Sequence, residues 1–178
     1  MPAFFDLKDR IRTIPDFPKK GIMFRDITTL LRDKYAFRYV VREMLKKVSD
    51  KRIDYVASAE SRGFILGGAL AHELHAGFVP LRKPGKLPYK TIRQEFKTEY
   101  SKDAFEIHMD AIEMGSNVLI VDDLLATSGT AKAAIDLVEK LGGKVVGLAF
   151  LIELGFLKGR EKLAGYDVFS LVNYDKEE

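Results

Sequence analysis

The sequence predicts an α/β fold, in which a mainly parallel sheet of about five strands is flanked by helices. Short apolar runs rich in β-branched residues recur along the chain, and between them lie segments whose apolar residues have helical spacing. The clearest strand is the run of four apolar residues at 118–121, which is too short for a helix and is typical of a strand buried on both faces. The 178 residues are the length of one domain, and 47% hydrophobic with 31% charged residues is a globular composition.

Composition excludes several kinds of site and partner. The chain has no cysteine, which excludes disulfides, thiol nucleophiles and thiolate metal sites. Its three histidines, His72, His75 and His108, do not indicate a histidine-rich metal site. The net charge of +3 is slight and the basic residues are scattered, so nucleic acid is not indicated as a partner. No apolar run approaches the roughly 18 residues of a membrane span and the N-terminus lacks a signal-peptide pattern, so we expect a cytoplasmic protein with no membrane partner.

The N-terminal segment predicts a helix followed by a strand. Residues 3–14 carry apolar side chains on one helical face, which predicts a short amphipathic helix that ends before two prolines. Residues 22–28 form a strand-like run. Its composition favours an edge strand with Phe24 in the core and the Arg25–Asp26 pair exposed.

The next segment predicts a helix and then a β-loop-α unit. Residues 34–49 have a stripe of apolar residues, which predicts an amphipathic helix. A strand is expected at 53–59, a helix from about Phe64 to Leu74, and a further strand at 77–81. The basic turn at 82–88 then follows; such a turn is usually only solvated, but beside a phosphate site it becomes an anion clamp.

Residues 89–105 have weak periodicity and many charges, a pattern with two interpretations. A stretch of this kind inside a compact domain is often a lid over a site, and the alternative is a solvated pair of strands. We favour the lid. Residues 105–109 then alternate between apolar and polar, which predicts a strand with His108 facing outward.

The last third of the chain predicts three strands and one helix. The helix should end at Gly142 and Gly143, because glycine commonly ends helices. The expected strands lie at 117–121, 144–154 and 167–174, and the expected helix at 130–141.

Two adjacent carboxylates and a loop of small residues connect the first of these strands to the helix. Asp122 and Asp123 lie at the carboxyl end of the strand, where ligands bind in open α/β sheets. The loop at 126–129 leads into a helix N-terminus, whose unpaired amides and positive dipole end suit a phosphate. Neighbouring carboxylates beside a phosphate would repel it unless they meet hydroxyls, a metal or a developing cation. An ordinary turn is the plainer interpretation, and a phosphoacceptor receiver domain is another, although receivers carry their paired acids after the first strand.

The run Val-Asp-Asp-Leu-Leu-Ala-Thr-Ser-Gly-Thr at 121–130 resembles the phosphoribosyl-pyrophosphate motif of the type I phosphoribosyltransferase family, in the form found in its adenine-specific members. The resemblance implies that Asp122 and Asp123 hold the ribose hydroxyls. It also implies a 5′-phosphate site made of Ala126, Thr127, Ser128, Gly129 and Thr130. Ser128 stands where the family usually has glycine, which matters only if that position needs a positive φ.

The run Asp-Phe-Pro-Lys-Lys-Gly-Ile-Met-Phe-Arg-Asp-Ile at 16–27 resembles the N-terminal hood segment of the same adenine-specific members. By this resemblance Phe24 stacks on the purine and Leu124 opposes it. The backbone of Met23 and Arg25 would then supply hydrogen bonds to the edge of the base. The hood, at about 1–33, is expected to cover the sheet within a single domain that spans 1–178.

The same resemblance implies a pyrophosphate site and a catalytic loop. The pyrophosphate would contact Ser61, Arg62, Arg82 and Lys86, and would carry Mg²⁺ without direct protein ligands. The arginine at a helix N-terminus is unfavourable for the helix dipole, which makes an anion ligand plausible and leaves a solvated arginine as the alternative. The Thr-Glu-Tyr sequence within the flexible segment at 89–105 matches the family's catalytic loop, where Glu99 would exchange a proton with N7 of adenine.

The implied reaction converts adenine and phosphoribosyl pyrophosphate into AMP and pyrophosphate with inversion at the anomeric carbon, a step of purine salvage. A homodimer is expected by the same resemblance. Two alternatives stay open: transfer to another nucleobase, and a non-catalytic purine sensor on the same fold. Sensors of that kind carry an added DNA-binding segment, which we do not expect here because the sequence contains no basic arm.

Overall fold

The computed structural model describes residues 6–97 and 102–177, and within them a five-stranded parallel sheet is covered by helices on both faces. The described strands are β1 Arg12–Ile14, β2 Phe24–Asp26, β3 Tyr55–Ala59, β4 Gly77–Leu81, β5 Thr91–Lys97, β6 Lys102–His108, β7 Asn117–Leu125, β8 Lys144–Leu154 and β9 Val168–Tyr174. The described helices are α1 Thr28–Arg32, α2 Lys34–Lys47, α3 Arg62–Glu73 and α4 Gly129–Lys140, and short 3-10 turns lie at Lys8–Arg10, Gly155–Leu157 and Gly159–Leu163.

The main sheet has the order β4-β3-β7-β8-β9, with every neighbouring pair parallel. β7 lies at its centre. Because parallel strands all point the same way, the residues that follow β3 and β7 meet at one edge of the sheet. This architecture confirms the predicted fold class.

The central strand divides its side chains between two hydrophobic cores. Leu119 and Val121 pack with residues of α2 and α3 on one face. Val118 and Ile120 pack with residues of α4 on the other face. All four side chains are buried, which explains why the run is continuously apolar instead of alternating.

The first predicted element is wrong over the residues that are described. Instead of a helix over 3–14, the chain forms a 3-10 turn and then β1, which pairs antiparallel with β2. Arg12 lies opposite Asp26 in this pair, and its guanidinium contacts the Asp26 carboxylate at 2.5 Å. A segment this short gains little from helix formation, so pairing with a distant strand decides its conformation.

The strand predicted within 22–28 is confirmed as β2, but its predicted burial is wrong, since it placed Phe24 in the core and left Arg25 and Asp26 exposed. Arg25 and Asp26 are 7% and 6% exposed, while Phe24 is only half-buried. The Arg25 guanidinium lies 4.0 Å from the centre of the Tyr174 ring and donates to the Thr13 hydroxyl. Partners from other parts of the chain therefore make burial of these charges possible.

The charged segment after β4 forms an antiparallel pair, β5 with β6, which packs against α4. Of the two interpretations of 89–105, the strand pair is correct for the residues described on either side of 98–101. A role of this hairpin as a lid stays a prediction. Among the described helices, none is both long enough and apolar enough to cross a membrane.

Candidate active site

A cavity of about 280 Å³ opens at the carboxyl ends of β3 and β7, beside the first turn of α4. It is lined by Ala59, Glu60, Arg62, Lys97, Phe105, Asp122, Asp123, Leu124, Ala126, Thr127, Gly129 and Thr130. The predicted acids, most of the predicted phosphate-binding residues and the predicted Arg62 therefore lie around one space.

Residues 126–130, which we call the phosphate loop, contain the serine that replaces glycine. Ser128 precedes α4 with φ 70° and ψ 7°, so this position does need a positive φ. The Ser128 side chain is buried, and its hydroxyl donates to the carbonyl of Thr127 at 2.6 Å. The hydroxyl is thus used within the loop, and Ser128 does not line the cavity.

The β5–β6 hairpin lies directly against the first residue of α4. A β-carbon at Gly129 would lie 2.3 Å from the Lys97 carbonyl oxygen and 3.7 Å from the Phe96 ring. Only glycine allows this approach of two backbones. The hairpin therefore forms part of the wall around the phosphate loop.

The two aspartates are in different environments. Burial, and then the neighbouring Asp123 carboxylate, raise the pKa of Asp122 well above its ordinary value. Its Oδ1 accepts the Asp123 amide at 2.9 Å and lies against the start of α3, where a β-carbon at Gly63 would be 2.7 Å away. Asp123 is 7% exposed and forms an ion pair with Arg62.

Arg62, the first residue of α3, connects three parts of the site. Its Nε donates to Asp123 Oδ2, and its guanidinium carbon lies 5.1 Å from the centre of the Phe24 ring. The Arg62 cation offsets the free-energy cost of burying the Asp123 carboxylate. The carboxylate in turn offsets the repulsion between Arg62 and the positive end of the α3 dipole. A residue predicted to hold pyrophosphate is therefore bound here to a residue predicted to hold ribose.

The other predicted pyrophosphate residues lie beside the cavity rather than in its lining. Glu60 Oε2 accepts from Arg82 Nε at 3.0 Å, and Glu60 Oε1 accepts from the Lys83 amide at 2.7 Å. Arg82 also donates to the Lys86 carbonyl at 3.3 Å. Ser61 caps α3 without a side-chain hydrogen bond, after a cis peptide bond from Glu60.

The residues predicted to bind adenine lie at different distances from the cavity. Phe24 is in edge-to-face contact with Phe17, with 5.0 Å between ring centres, and its ring lies beside Arg62, which lines the cavity. Met23 and Arg25 do not line the cavity, and the Arg25 side chain points toward Tyr174. Leu124, the predicted partner of Phe24 across the base, does line it.

Glu99 lies outside the described residues, so its role stays a prediction. Three further residues line the cavity that no motif or spacing had indicated, namely Ala59, Lys97 and Phe105. Lys97 and Phe105 reach it because the β5–β6 pairing brings both strands over the phosphate loop. Only knowledge of how β5 pairs with β6 would have indicated these two residues as part of the cavity.

The carboxylates at the cavity suit Mg²⁺, which prefers oxygen ligands and in nucleotide enzymes takes few of them from the protein. Across 6–97 and 102–177, no cluster of three or more His, Cys, Asp or Glu side chains is placed to hold a metal. A divalent cation at this cavity would therefore take most of its ligands from a substrate and from water.

Comparison with known proteins gives a consistent result. A family model described as a phosphoribosyl transferase domain matches residues 29–176. An adenine phosphoribosyltransferase of Thermotoga sp. (strain RQ2) is 59% identical over 169 residues, which are 95% of this chain and 99% of that protein.

Two solved structures show the same likeness. The adenine phosphoribosyltransferase of Thermoanaerobacter pseudethanolicus superposes with a TM-score of 0.92 at 52% identity, over 95% of this chain and 98% of the other. The enzyme of Saccharomyces cerevisiae, complexed with an imino-altritol bisphosphate and adenine, superposes with a TM-score of 0.86 at 41% identity, over 93% of this chain and 96% of the other.

Proposed function

The chain belongs to the phosphoribosyl transferase family, and on that basis we propose how its cavity carries out the reaction. The activity is that of an adenine phosphoribosyltransferase: adenine and phosphoribosyl pyrophosphate give AMP and diphosphate, a step of purine salvage. One observation carries the assignment of roles, which is that Asp122 and Asp123 line the same cavity as the phosphate loop.

The phosphate loop binds the 5′-phosphate through backbone amides. The first amides of α4 have no partner within the helix, and the helix dipole adds partial positive charge. The hydroxyls of Thr127 and Thr130 border the same space and add donors. Ser128 contributes backbone only, since its hydroxyl is bonded to Thr127.

Asp122 and Asp123 hold the ribose hydroxyls, and the Asp123 carboxylate favours the positive charge that develops on the sugar ring. Preorganised charge of this kind, in a site that excludes water, is usually a large part of catalysis. Asp123 Oδ2 must first release Arg62, because the ion pair occupies that oxygen of the carboxylate.

The diphosphate of the substrate is the natural competitor for Arg62. Once the Arg62 guanidinium binds the diphosphate, Asp123 becomes available for a ribose hydroxyl. The guanidinium then no longer lies over the Phe24 ring. The exposed ring then stacks on adenine opposite Leu124, with the backbone of Met23 and Arg25 at the edge of the base. Phosphoribosyl pyrophosphate should therefore bind before adenine.

The leaving diphosphate is stabilised by Arg62, Arg82, Lys86 and Ser61. Mg²⁺ carried on the diphosphate would neutralise part of its charge. Glu99 would manage the proton on N7 of adenine. Closure of the β5–β6 hairpin would keep water from a cationic ribosyl group.

The test is an assay of nucleotide formation with a panel of purine and pyrimidine bases. We expect AMP from adenine and no comparable product from the other bases. Preferred use of another base would contradict the adenine-specific roles, and tight binding without any product would indicate a sensor.

Calorimetry should detect adenine binding only after a ribosyl phosphate ligand is present; equal binding to the free protein would contradict the order proposed above.

We also propose a homodimer. Ile65 on α3 and Phe78 on the edge strand β4 are 45% and 38% exposed, which is typical of a surface that a second copy covers. Light scattering should give twice the 20.1 kDa of one chain. A mass of one chain at micromolar concentration would contradict the dimer. The cytoplasmic location stays a prediction.

A further inference from the structure

The 3-10 turn Gly159–Leu163, which we call the C-terminal turn, lies against the phosphate loop. A β-carbon at Gly159 would be 2.0 Å from the Ala126 carbonyl oxygen and 3.3 Å from the Ser128 nitrogen. Lys162 Nζ donates to the Thr127 carbonyl at 3.3 Å. Two consecutive carbonyls of the phosphate loop are thus directed at the turn.

The direction of these carbonyls also determines the direction of the amides. In a planar trans peptide the C=O and the N–H point opposite ways. The N–H groups of Thr127 and Ser128 therefore point away from the C-terminal turn. No residue of the turn lines the cavity, whereas Ala126, Thr127 and Gly129 of the loop do, so the turn packs on the loop from outside the cavity.

An ion pair between the exposed Arg160 and the buried Glu153 anchors the turn to the main sheet. Arg160 donates to both oxygens of Glu153, to the Val168 carbonyl and to the Ser170 hydroxyl. Glu153 is 7% exposed and lies opposite Leu125, the last residue of β7. The hydrogen bond from Arg160 lowers the pKa of Glu153 and so keeps it charged. The turn and the start of the loop are therefore held by the same part of the sheet.

We propose that the C-terminal turn positions the phosphate loop, with Gly159 and Lys162 setting the orientation of two peptide planes whose amides receive the 5′-phosphate. Gly159 and Lys162 act through the loop and do not touch the substrate, so they are positioning residues. Arg160 and Glu153 hold the turn in place. The proposal rests on the proposed function, because it requires that the loop binds a phosphate.

The first test is Lys162→Ala. Loss of one hydrogen bond to the loop should raise KM for phosphoribosyl pyrophosphate by about threefold to tenfold, with KM for adenine unchanged. Lys162→Arg keeps a donor and should restore the parent value to within about twofold. Lys158→Ala is the matched control: it removes the same charge from an exposed neighbour, and no described hydrogen bond joins the Lys158 side chain to the loop.

Calorimetry with ribose 5-phosphate as the probe gives a readout that is independent of turnover. Its affinity should fall in Lys162→Ala in the same proportion as KM rises, and should stay unchanged in Lys158→Ala. Equal affinity in Lys162→Ala and the parent protein would overturn the proposal. An equal rise in KM for both substrates would also overturn it, because it would indicate a general loss of structure.

Gly159→Ala is a stronger perturbation, since its methyl group cannot lie 2.0 Å from a carbonyl oxygen. We expect KM for phosphoribosyl pyrophosphate to rise more than tenfold, provided that circular dichroism shows a folded protein. Lys162→Ala decides the matter if Gly159→Ala does not fold. Failure of the proposed function would instead leave the parent protein unable to form AMP, so the two failures are distinguishable.

Discussion

The two sides of the cavity are held in different ways. The phosphate loop is built from backbone, and the Lys97 carbonyl, Gly159 and Lys162 pack on it. The opposite side, which we call the paired side, consists of Phe24, Arg62 and Asp123, whose side chains contact one another. The phosphate loop is therefore preorganised for its ligand. On the paired side, Arg62 and Asp123 neutralise each other until a substrate replaces that ion pair with its own contacts.

This difference has an energetic reason. Backbone amides at a helix start carry only partial charge and tolerate an empty site, because water reaches them through the open cavity. A buried carboxylate without a partner costs far more free energy. Asp123 therefore requires a cation in the free protein, and Arg62 supplies it.

The largest effect is expected from a change on the paired side. Asp123→Asn keeps the shape of the side chain but removes the charge that faces Arg62 and the developing ribosyl cation. We expect kcat/KM to fall about 100-fold or more. The Arg62 side chain is 38% exposed and becomes hydrated, so the unfolding midpoint should change little. Asp136→Asn, on the exposed face of α4, is the control; unaltered turnover in Asp123→Asn would show that the acid has no catalytic role.

A change in the phosphate loop tests whether its preorganisation matters. Gly129→Ala places a methyl group 2.3 Å from the Lys97 carbonyl oxygen, so the loop or the hairpin must move. We expect KM for phosphoribosyl pyrophosphate to rise about tenfold to 100-fold. Gly68→Ala in α3 is the control, because nothing lies within 4 Å of its β-carbon, and it should stabilise the helix by up to ~1 kcal/mol. Parent-like kinetics in Gly129→Ala would mean that the close packing is not required.

Asp122 allows a test by pH. Its pKa is raised in the folded protein above the ordinary 3.8, so the folded state retains a proton that the unfolded chain releases. Stability should therefore fall as pH rises above 4 through the raised pKa. Asp122→Asn has no carboxyl group to ionise, so its stability should not fall in this way. Its urea midpoint should be higher than that of the parent at pH 7, and the difference between the two midpoints should shrink toward pH 4. A difference that stays constant across this range would contradict the raised pKa.

The smallest effect is expected at Ser128. Ser128→Gly relieves the left-handed backbone but loses the hydrogen bond to Thr127, so the free energy of unfolding should change by less than about 1 kcal/mol. The kcat/KM should stay within about twofold, because the hydroxyl does not face the cavity. Ser128→Val should destabilise the protein more, since a β-branched residue tolerates a positive φ poorly. A large loss of activity in Ser128→Gly would mean that the hydroxyl reaches the phosphate.

Elements with strong local patterns were predicted closely. The predicted strands at 77–81 and 144–154 match β4 and β8, and the helix ends before Gly142 as predicted, with a positive φ of 84° at that glycine. The strand, paired acids and helix start of the phosphate site were also predicted together. These features lie within about 20 consecutive residues, so local sequence carries the information.

The predictions that failed depend on distant partners. Residues 8–14 form a 3-10 turn and a strand because β2 pairs with that strand. Arg25 is buried because its guanidinium contacts the Tyr174 ring and donates to the Thr13 hydroxyl. No local pattern shows such partners. The hairpin after β4, for which the sequence left two interpretations, also depends on non-local contacts, because its strands are stabilised by pairing with each other and by packing on α4.

The sequence by itself therefore determined the fold class and the chemical groups at the carboxyl edge of the sheet, because periodicity and one contiguous motif encode them. Only the tertiary structure decided which of these groups contact one another. Arg62 and Asp123, or Gly159 and Ala126, are far apart in the chain, and the geometry that joins them depends on the packing of whole strands and helices.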